Sequence, residues 1–166
     1  MSEDWENGGF GFYIHWPFCT AKCPYCDFNS HVRNNIDQKQ WLRSYLSEIN
    51  RVSKNTSNRS LNSVFFGGGT PSLIEPWVIN DILNEIQKYW KTKDIFEVTL
   101  EANPGSVDAK NFEAYRSAGV NRVSMGIQSL NEKDLKALGR THTVKEALSA
   151  FEIAQQNFPA VSFDLI

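Results

Sequence analysis

Short apolar segments of strand length alternate along the chain with longer segments in which apolar residues recur at helical spacing. The short segments predict five strands, at residues 10–15, 63–66, 96–101, 122–127 and 161–166. The longer segments predict helices that begin near Asp37, Pro76, Ser106, Asn131 and Thr143. This alternation of strands and helices predicts an α/β fold with a parallel sheet and right-handed crossovers.

Several helix boundaries carry their own local signals. Asp37 is suited to cap a helix, and Pro76 is suited to a first helical turn. Thr143 and Glu146 have the spacing of a capping box, which would open the last helix. Gly119 fits the C-terminal end of the helix before it. Helix starts are therefore the best-defined boundaries of the predicted fold.

The segments between these elements give coarser predictions. Residues 1–10 are predicted to be a polar N-terminal tail, and residues 54–60 a polar linker. The glycines at 67–69 are predicted to end the second strand. Residues 161–166 form an apolar strand with no following turn or helix, so we expect the chain to be a fragment or a truncated product.

The alternation leaves two architectures open. The strands can form an open doubly wound sheet or part of a β/α barrel, since both are built from parallel strands and crossover helices. In either architecture the functional residues gather at the carboxyl ends of the strands.

Composition narrows the class of protein. The chain has 166 residues, of which 41% are hydrophobic, enough for one globular domain with a core. Its net charge of -2 disfavours a nucleic-acid-binding protein. Its apolar runs are too short for a membrane span, and its polar, acidic start is unlike a signal peptide. We therefore expect a cytoplasmic protein.

All three cysteines, Cys19, Cys23 and Cys26, lie in one C-x3-C-x2-C segment. A disulfide with one free thiol is disfavoured, because Cys23 and Cys26 are close in sequence and the expected compartment is reducing. Two metal sites remain open from the spacing alone. One is a zinc site with His15 or His31 as its fourth ligand, and the other is a four-iron cluster with one iron free of protein ligands.

Polar or flexible residues also follow the other predicted strands. Glycines 67–69 and Thr70 follow the second strand, and a glycine-rich backbone can approach a ligand closely. Glu101 ends the third strand, Gln128 follows the fourth, and Asp164 lies in the fifth. Each residue alone suits a structural role. Their recurrence at successive strand ends predicts a shared binding site.

With these residues, the chain resembles radical S-adenosylmethionine (SAM) proteins of the oxygen-independent coproporphyrinogen III oxidase type. The segments that carry the resemblance run in family order: residues 13–19 (YIHWPFC), the cysteine segment at 19–26, and residues 66–71 (FGGGTP), 101–104 (EANP), 122–128 (RVSMGIQ), 138–140 (LGR) and 163–166 (FDLI). The resemblance implies a partial (β/α) barrel over residues 11–166, incomplete after about five strands and without the C-terminal domain of relatives.

The resemblance also implies the cofactors and their ligands. Cys19, Cys23 and Cys26 would bind a [4Fe–4S] cluster whose open iron takes SAM, which favours the cluster over zinc. Contacts to the cluster or to SAM are implied for Tyr13, Tyr25, Gly68, Gly69, Thr70, Glu101, Gln128, Arg140 and Asp164. One-electron reduction of SAM would then give methionine and a 5′-deoxyadenosyl radical.

One position separates two branches of this family. The oxidases carry a further cysteine two residues after the third ligand, where this chain has Phe28. The resemblance is therefore closer to the heme chaperone (HemW) branch, whose members bind heme and pass it to respiratory proteins. The alternatives are a coproporphyrinogen oxidase and a truncated, non-functional fragment.

The heme chaperone interpretation implies a set of partners. They are SAM, heme, heme-accepting proteins and a reductant such as flavodoxin or ferredoxin. His15 belongs to the motif before the cluster. His31 and His142 are expected to be solvated loop residues and not heme ligands.

Overall fold

A computed structural model describes residues 4–106 and 109–166. Within these residues the helices are α1 (Asp4–Gly8), α2 (Gln38–Thr56), α3 (Pro76–Tyr89), α4 (Ala109–Ser117), α5 (Glu132–Ala137) and α6 (Val144–Asn157). The strands are β1 (Gly11–Trp16), β2 (Phe18–Cys19), β3 (His31–Val32), β4 (Ser60–Gly68), β5 (Lys91–Ala102), β6 (Arg122–Gln128) and β7 (Ala160–Leu165). Two 3-10 turns lie at Pro71–Leu73 and Pro104–Ser106.

In the described part of the chain, the main sheet has five parallel strands in the order β1-β4-β5-β6-β7. Each new strand is added on the same side of the last one. A doubly wound sheet instead reverses its strand order at a switch point. The uninterrupted order therefore resolves the two predicted architectures in favour of the partial barrel.

The two faces of the sheet differ in character, as β6 shows. Val123, Met125 and Ile127 are buried among the apolar residues of the core. The alternate residues of the strand, such as Ser124 and Gln128, lie on the opposite face and are partly exposed. Helix α3 contributes several fully buried residues to the same core. The opposite, more polar face is the inner face of the partial barrel.

The predicted helix starts at Asp37, Pro76 and Thr143 are confirmed in detail. The Asp37 side chain accepts a hydrogen bond from the backbone amide of Gln40, and α3 begins at Pro76. Thr143 and Glu146 form a complete capping box. Gly119 has φ +107° and ends α4, where the left-handed conformation favours glycine.

Other boundaries differ from the prediction. The predicted linker at 54–60 is shortened to 57–59, because α2 continues to Thr56 and β4 begins at Ser60. The Thr56 carbonyl accepts a hydrogen bond from the Trp90 indole. The glycines at 67–69 do not end the second strand at residue 66, because β4 pairs with β1 as far as Gly68. A sheet ladder uses backbone groups, so it tolerates glycine where the neighbouring strand continues.

The remaining boundary differences are smaller. The predicted helix near Ser106 is a 3-10 turn ending at that residue, followed by α4, with residues 107–108 outside the described part. The predicted tail contains the short helix α1, and residues 1–3 are outside the described part. None of the helices described is both long enough and apolar enough to cross a bilayer.

The capping box at the start of α6 gives a test of the fold. Replacing Thr143 by Ala removes the side-chain acceptor for the Glu146 amide and is expected to lower the free energy of unfolding by about 1 kcal/mol. Thr143→Ser keeps the acceptor and serves as the matched control. Urea unfolding followed by circular dichroism measures both. Equal stabilities of the two variants would show that this cap does not stabilise the folded chain.

Candidate functional site

The cysteine segment forms a closed loop at the end of β1. Strands β2 and β3 pair in parallel at the base of this loop. The His31 amide donates to the Pro17 carbonyl at 2.7 Å, and the Arg33 amide donates to the Cys19 carbonyl at 3.2 Å. These hydrogen bonds hold both ends of the loop together, so the cysteines lie on a constrained segment.

The three cysteines of the loop form no disulfide bond. Cys19 is buried at the base of the loop, whereas Cys23 and Cys26 are partly exposed. Among the described residues, no three His, Cys, Asp or Glu side chains are grouped to hold a single metal ion. A four-iron cluster has a different requirement, because each cysteine binds a separate iron.

His15, in β1, contacts the cysteine loop. Its Nε2 lies 2.9 Å from the Asn29 carbonyl oxygen, and its own carbonyl accepts a hydrogen bond from the Tyr45 hydroxyl at 2.7 Å. The contact with Asn29 joins the end of β1 to the far side of the cysteine loop. His31, the other histidine considered as a zinc ligand, is exposed on β3.

The glycine segment at the end of β4 lies directly against the cysteine loop. The Gly69 amide donates to the Trp16 carbonyl at 2.7 Å, and the Thr70 amide donates to the Phe18 carbonyl at 2.8 Å. A Cβ atom at Gly69 would lie 2.9 Å from the Cys19 Sγ and 2.6 Å from the Phe18 oxygen. Only glycine permits this approach, so the segment fits a cysteine loop held close to the sheet.

The amides of this segment serve the protein itself. The Gly68 amide donates to Glu101 Oε2 at 3.0 Å, and the next two amides are used as described above. Gly68 has φ +116°, which turns its amide toward β5. A ligand would therefore have to compete with Glu101 for this donor. The amides of residues 68–70 are thus all used within the protein.

Glu101 and Asp164 place two carboxyl groups on the inner face. Burial raises the pKa of the Glu101 carboxyl, the Gly68 hydrogen bond lowers it, and the Asp164 charge raises it again. Gln128 ends β6 with φ +70°, a left-handed conformation that is uncommon for a residue with a side chain. These side chains come from three neighbouring strands, as the predicted parallel sheet requires.

Arg140 connects the cysteine loop to the sheet. Its Nη1 donates to Cys23 Sγ at 3.2 Å and lies 3.4 Å from the Tyr25 hydroxyl. Its Nη2 donates to Asn103 Oδ1 at 2.7 Å and to the Gly126 carbonyl at 2.8 Å. Burial of Tyr25 raises the pKa of its phenol, and the positive charge of Arg140 opposes that shift.

Asn103 is a site residue that the sequence prediction missed. Its side chain accepts from Arg140 and donates to Thr70 Oγ1 at 3.2 Å, so it bridges the strand ends. The available signal was its place directly after β5, beside Glu101 in the EANP segment.

These residues enclose a cavity of about 240 Å³ at the carboxyl ends of the strands. The predicted residues that line it are Cys19, Cys23, Tyr25, Cys26, Gly68, Gly69, Thr70, Glu101, Gln128, Arg140 and Asp164. Phe28 and Asn103 line it as well. Tyr13 lies outside this lining and stacks on Phe65. Burial raises the pKa of its phenol, and the nearby Glu101 charge raises it further.

The prediction that His142 is solvated is wrong. Only 5% of its surface is exposed, and its Nε2 lies 3.1 Å from the Ile127 carbonyl oxygen. Burial lowers the pKa of the imidazole, and the nearby Arg140 charge lowers it further. The loop between α5 and α6 is polar in sequence, and nothing in its pattern predicts that it packs against β6.

Comparison with known proteins agrees with this geometry. The model of the family described as the radical SAM superfamily matches residues 13–166. The chain is 46% identical over 148 residues to the heme chaperone HemW of Haemophilus influenzae. This match covers 86% of the chain and 39% of that protein. It is 41% identical over 155 residues to the mitochondrial radical S-adenosyl methionine domain-containing protein 1 of Bos taurus, covering 93% of this chain and 35% of that protein.

A solved structure shares the fold. The coproporphyrinogen III oxidase HemN of Escherichia coli superposes with a TM-score of 0.83 at 24% identity, over 93% of this chain and 36% of that chain. The chain thus spans less than two-fifths of the length of each of these three proteins. The predicted partial barrel and the predicted resemblance to the HemW branch are both confirmed. With a family match over nearly its whole length, the chain belongs to the radical SAM superfamily.

Proposed function

We propose that Cys19, Cys23 and Cys26 bind a [4Fe–4S] cluster and that the adjoining cavity binds SAM. The observation that carries this proposal is that one cavity collects all three thiols together with Glu101, Gln128 and other residues from successive strand ends. Three thiolates leave one iron open to a further ligand. When bound, the cluster would supply an electron for reductive cleavage of SAM.

The side chains of the cavity have distinct proposed roles. The Arg140 guanidinium would stabilise the negative charge of the Cys23 thiolate, which it already contacts. Tyr25 and Phe28 would shield the site from water with their aromatic rings. Glu101 would hold the glycine segment through the Gly68 amide and offer its second oxygen to a hydroxyl group of the ligand. Gln128 and Asp164 would add further polar groups to the lining of the cavity.

For the function of the whole protein, we propose a heme chaperone that passes heme to respiratory proteins. This proposal is supported by the similarity to HemW and by Phe28 at the position of the oxidases' further cysteine. The proposed partners are SAM, heme, heme-accepting proteins and a flavodoxin- or ferredoxin-type reductant. The cytoplasm is the proposed compartment, since thiols stay reduced there. Coproporphyrinogen oxidation is the second candidate, supported by the fold shared with HemN.

The metal centre is tested by anaerobic reconstitution with iron and sulfide. The chain is expected to bind about four irons and to absorb broadly near about 400 nm. Cys23→Ser should lose most of this absorbance, because the cluster then keeps two thiolates. Ser47→Ala, on the exposed surface of α2, is the control and should match the parent chain. Stoichiometric zinc without iron would contradict the proposal.

The close approach of Gly69 to the loop gives a second test. Gly69→Ala places a Cβ against Cys19 and Phe18, so we expect several-fold lower cluster occupancy after reconstitution. Gly8→Ala is the matched control, because no atom lies within 4 Å of the added Cβ. Iron analysis and circular dichroism measure occupancy and folding. Full occupancy in a folded Gly69→Ala variant would show that the close approach is not required.

The two candidate functions differ in their product. The reconstituted chain, incubated with coproporphyrinogen, SAM and a reductant, is expected to form no protoporphyrinogen, because the chaperone branch transfers heme and does not decarboxylate its substrate. Chromatography of the porphyrins measures the outcome, with an authentic oxidase as the positive control. Formation of product by this chain would favour the oxidase function instead.

A further inference from the structure

We infer that Arg140 is a positioning residue that raises the reduction potential of the cluster through its contact with Cys23. This inference rests on the proposed cluster site. It concerns how this chain would tune the cluster, whereas the resemblance gives Arg140 only a place in the SAM pocket.

The first observation is the set of partners of the guanidinium. Nη1 donates to the Cys23 sulfur, while Nη2 is held between Asn103 Oδ1 and the Gly126 carbonyl. The two sheet acceptors fix the plane of the guanidinium, so that its other nitrogen faces the thiol. Because two acceptors other than Cys23 hold the guanidinium, its contact with Cys23 does not depend on a bound ligand.

The second observation is how the backbone delivers this side chain. Helix α5 ends in a Schellman motif, in which the Gly139 amide donates to the Lys136 carbonyl and the Arg140 amide donates to the Leu135 carbonyl. Gly139 has φ +67°, and a Cβ atom there would lie 2.8 Å from Pro24 Cδ. The glycine therefore lets the end of α5 pack directly on the residue after Cys23.

The third observation is the charge balance around the thiol. Nε of Arg140 is buried and has no hydrogen-bond partner among the groups that the structure describes. A carboxylate paired with Arg140 would neutralise its charge, but its hydrogen bonds at this site go to a thiol, a phenol, an amide and a backbone carbonyl. Among the described residues, no hydrogen-bonded carboxylate therefore offsets the positive charge that Arg140 brings to Cys23.

These observations have a redox consequence. On reduction, a [4Fe–4S]²⁺ cluster accepts one electron from the reductant and becomes [4Fe–4S]⁺, so the negative charge on the cluster and its thiolates increases. A hydrogen bond to a ligand sulfur and a nearby positive charge both stabilise the reduced state. The effect is strengthened where the surroundings exclude water. Arg140 therefore makes the cluster easier to reduce.

The test is a redox titration of the reconstituted chain, followed by EPR of the reduced cluster in the absence of SAM. Arg140→Met is expected to shift the midpoint potential to more negative values, and Arg140→Lys should shift it less because it keeps the charge. Arg122→Met is the matched control, since Arg122 pairs with Glu97 on the inner face away from the cysteines. It should leave the potential unchanged.

Two glycine variants test the backbone arrangement separately. Gly139→Ala should push the end of α5 off Pro24 and shift the potential in the same direction as Arg140→Met. Gly119→Ala removes a left-handed glycine from the end of α4, so it controls for the general cost of such a change. It should lower stability without changing the potential.

The outcomes separate the inference from the proposed function. If the parent chain assembles no cluster, the proposed function fails. If the cluster assembles and Arg140→Met retains the parent potential, the inference is overturned. Loss of SAM affinity in Arg140→Met with an unchanged potential overturns it too, because Arg140 would then act on SAM alone. A negative shift in both Arg140→Met and Gly139→Ala supports it.

Discussion

The close approach between the cysteine loop and the glycine end of β4 is the contact on which the candidate site depends. Gly69 and Thr70 hydrogen-bond through their amides to Trp16 and Phe18, so the backbone of β4 fixes the base of the loop. The space for this contact exists only because residue 69 lacks a side chain. Without it, Cys19 could not stay buried against the sheet, and the loop would lose its fixed position above the other strand ends.

The order of the strands then assembles the rest of the cavity. Parallel strands added one after another bring Glu101, Gln128 and Asp164 to the same edge as the cysteine loop. Arg140 connects the two parts, because its guanidinium reaches Cys23 on one side and Asn103 and Gly126 on the other. Hydrogen bonds therefore join the cysteine loop to the ends of β5 and β6, and Gln128 and Asp164 complete the lining of the same cavity.

Much of this arrangement could be predicted from local signals. Helix starts followed from single side chains such as Asp37 and Thr143, since a cap depends on neighbouring residues alone. The gathering of polar residues at one edge followed from strand–helix alternation. The Gly67–69 segment was less predictable, because whether glycine ends a strand depends on the neighbouring strand. The burial of His142 and the bridging by Asn103 depend on contacts between distant loops, which leave no periodic pattern in the sequence.

The central claim is that the cysteine loop and the cavity form one site, in which SAM meets the open iron of the cluster. EPR of the reconstituted and reduced chain, recorded with and without SAM, tests it most directly. We expect SAM to change the g-values of the reduced cluster, because a new ligand on one iron alters its electronic structure. An identical spectrum with saturating SAM would contradict the account, since it would place SAM away from the cluster or show that the cavity does not bind it.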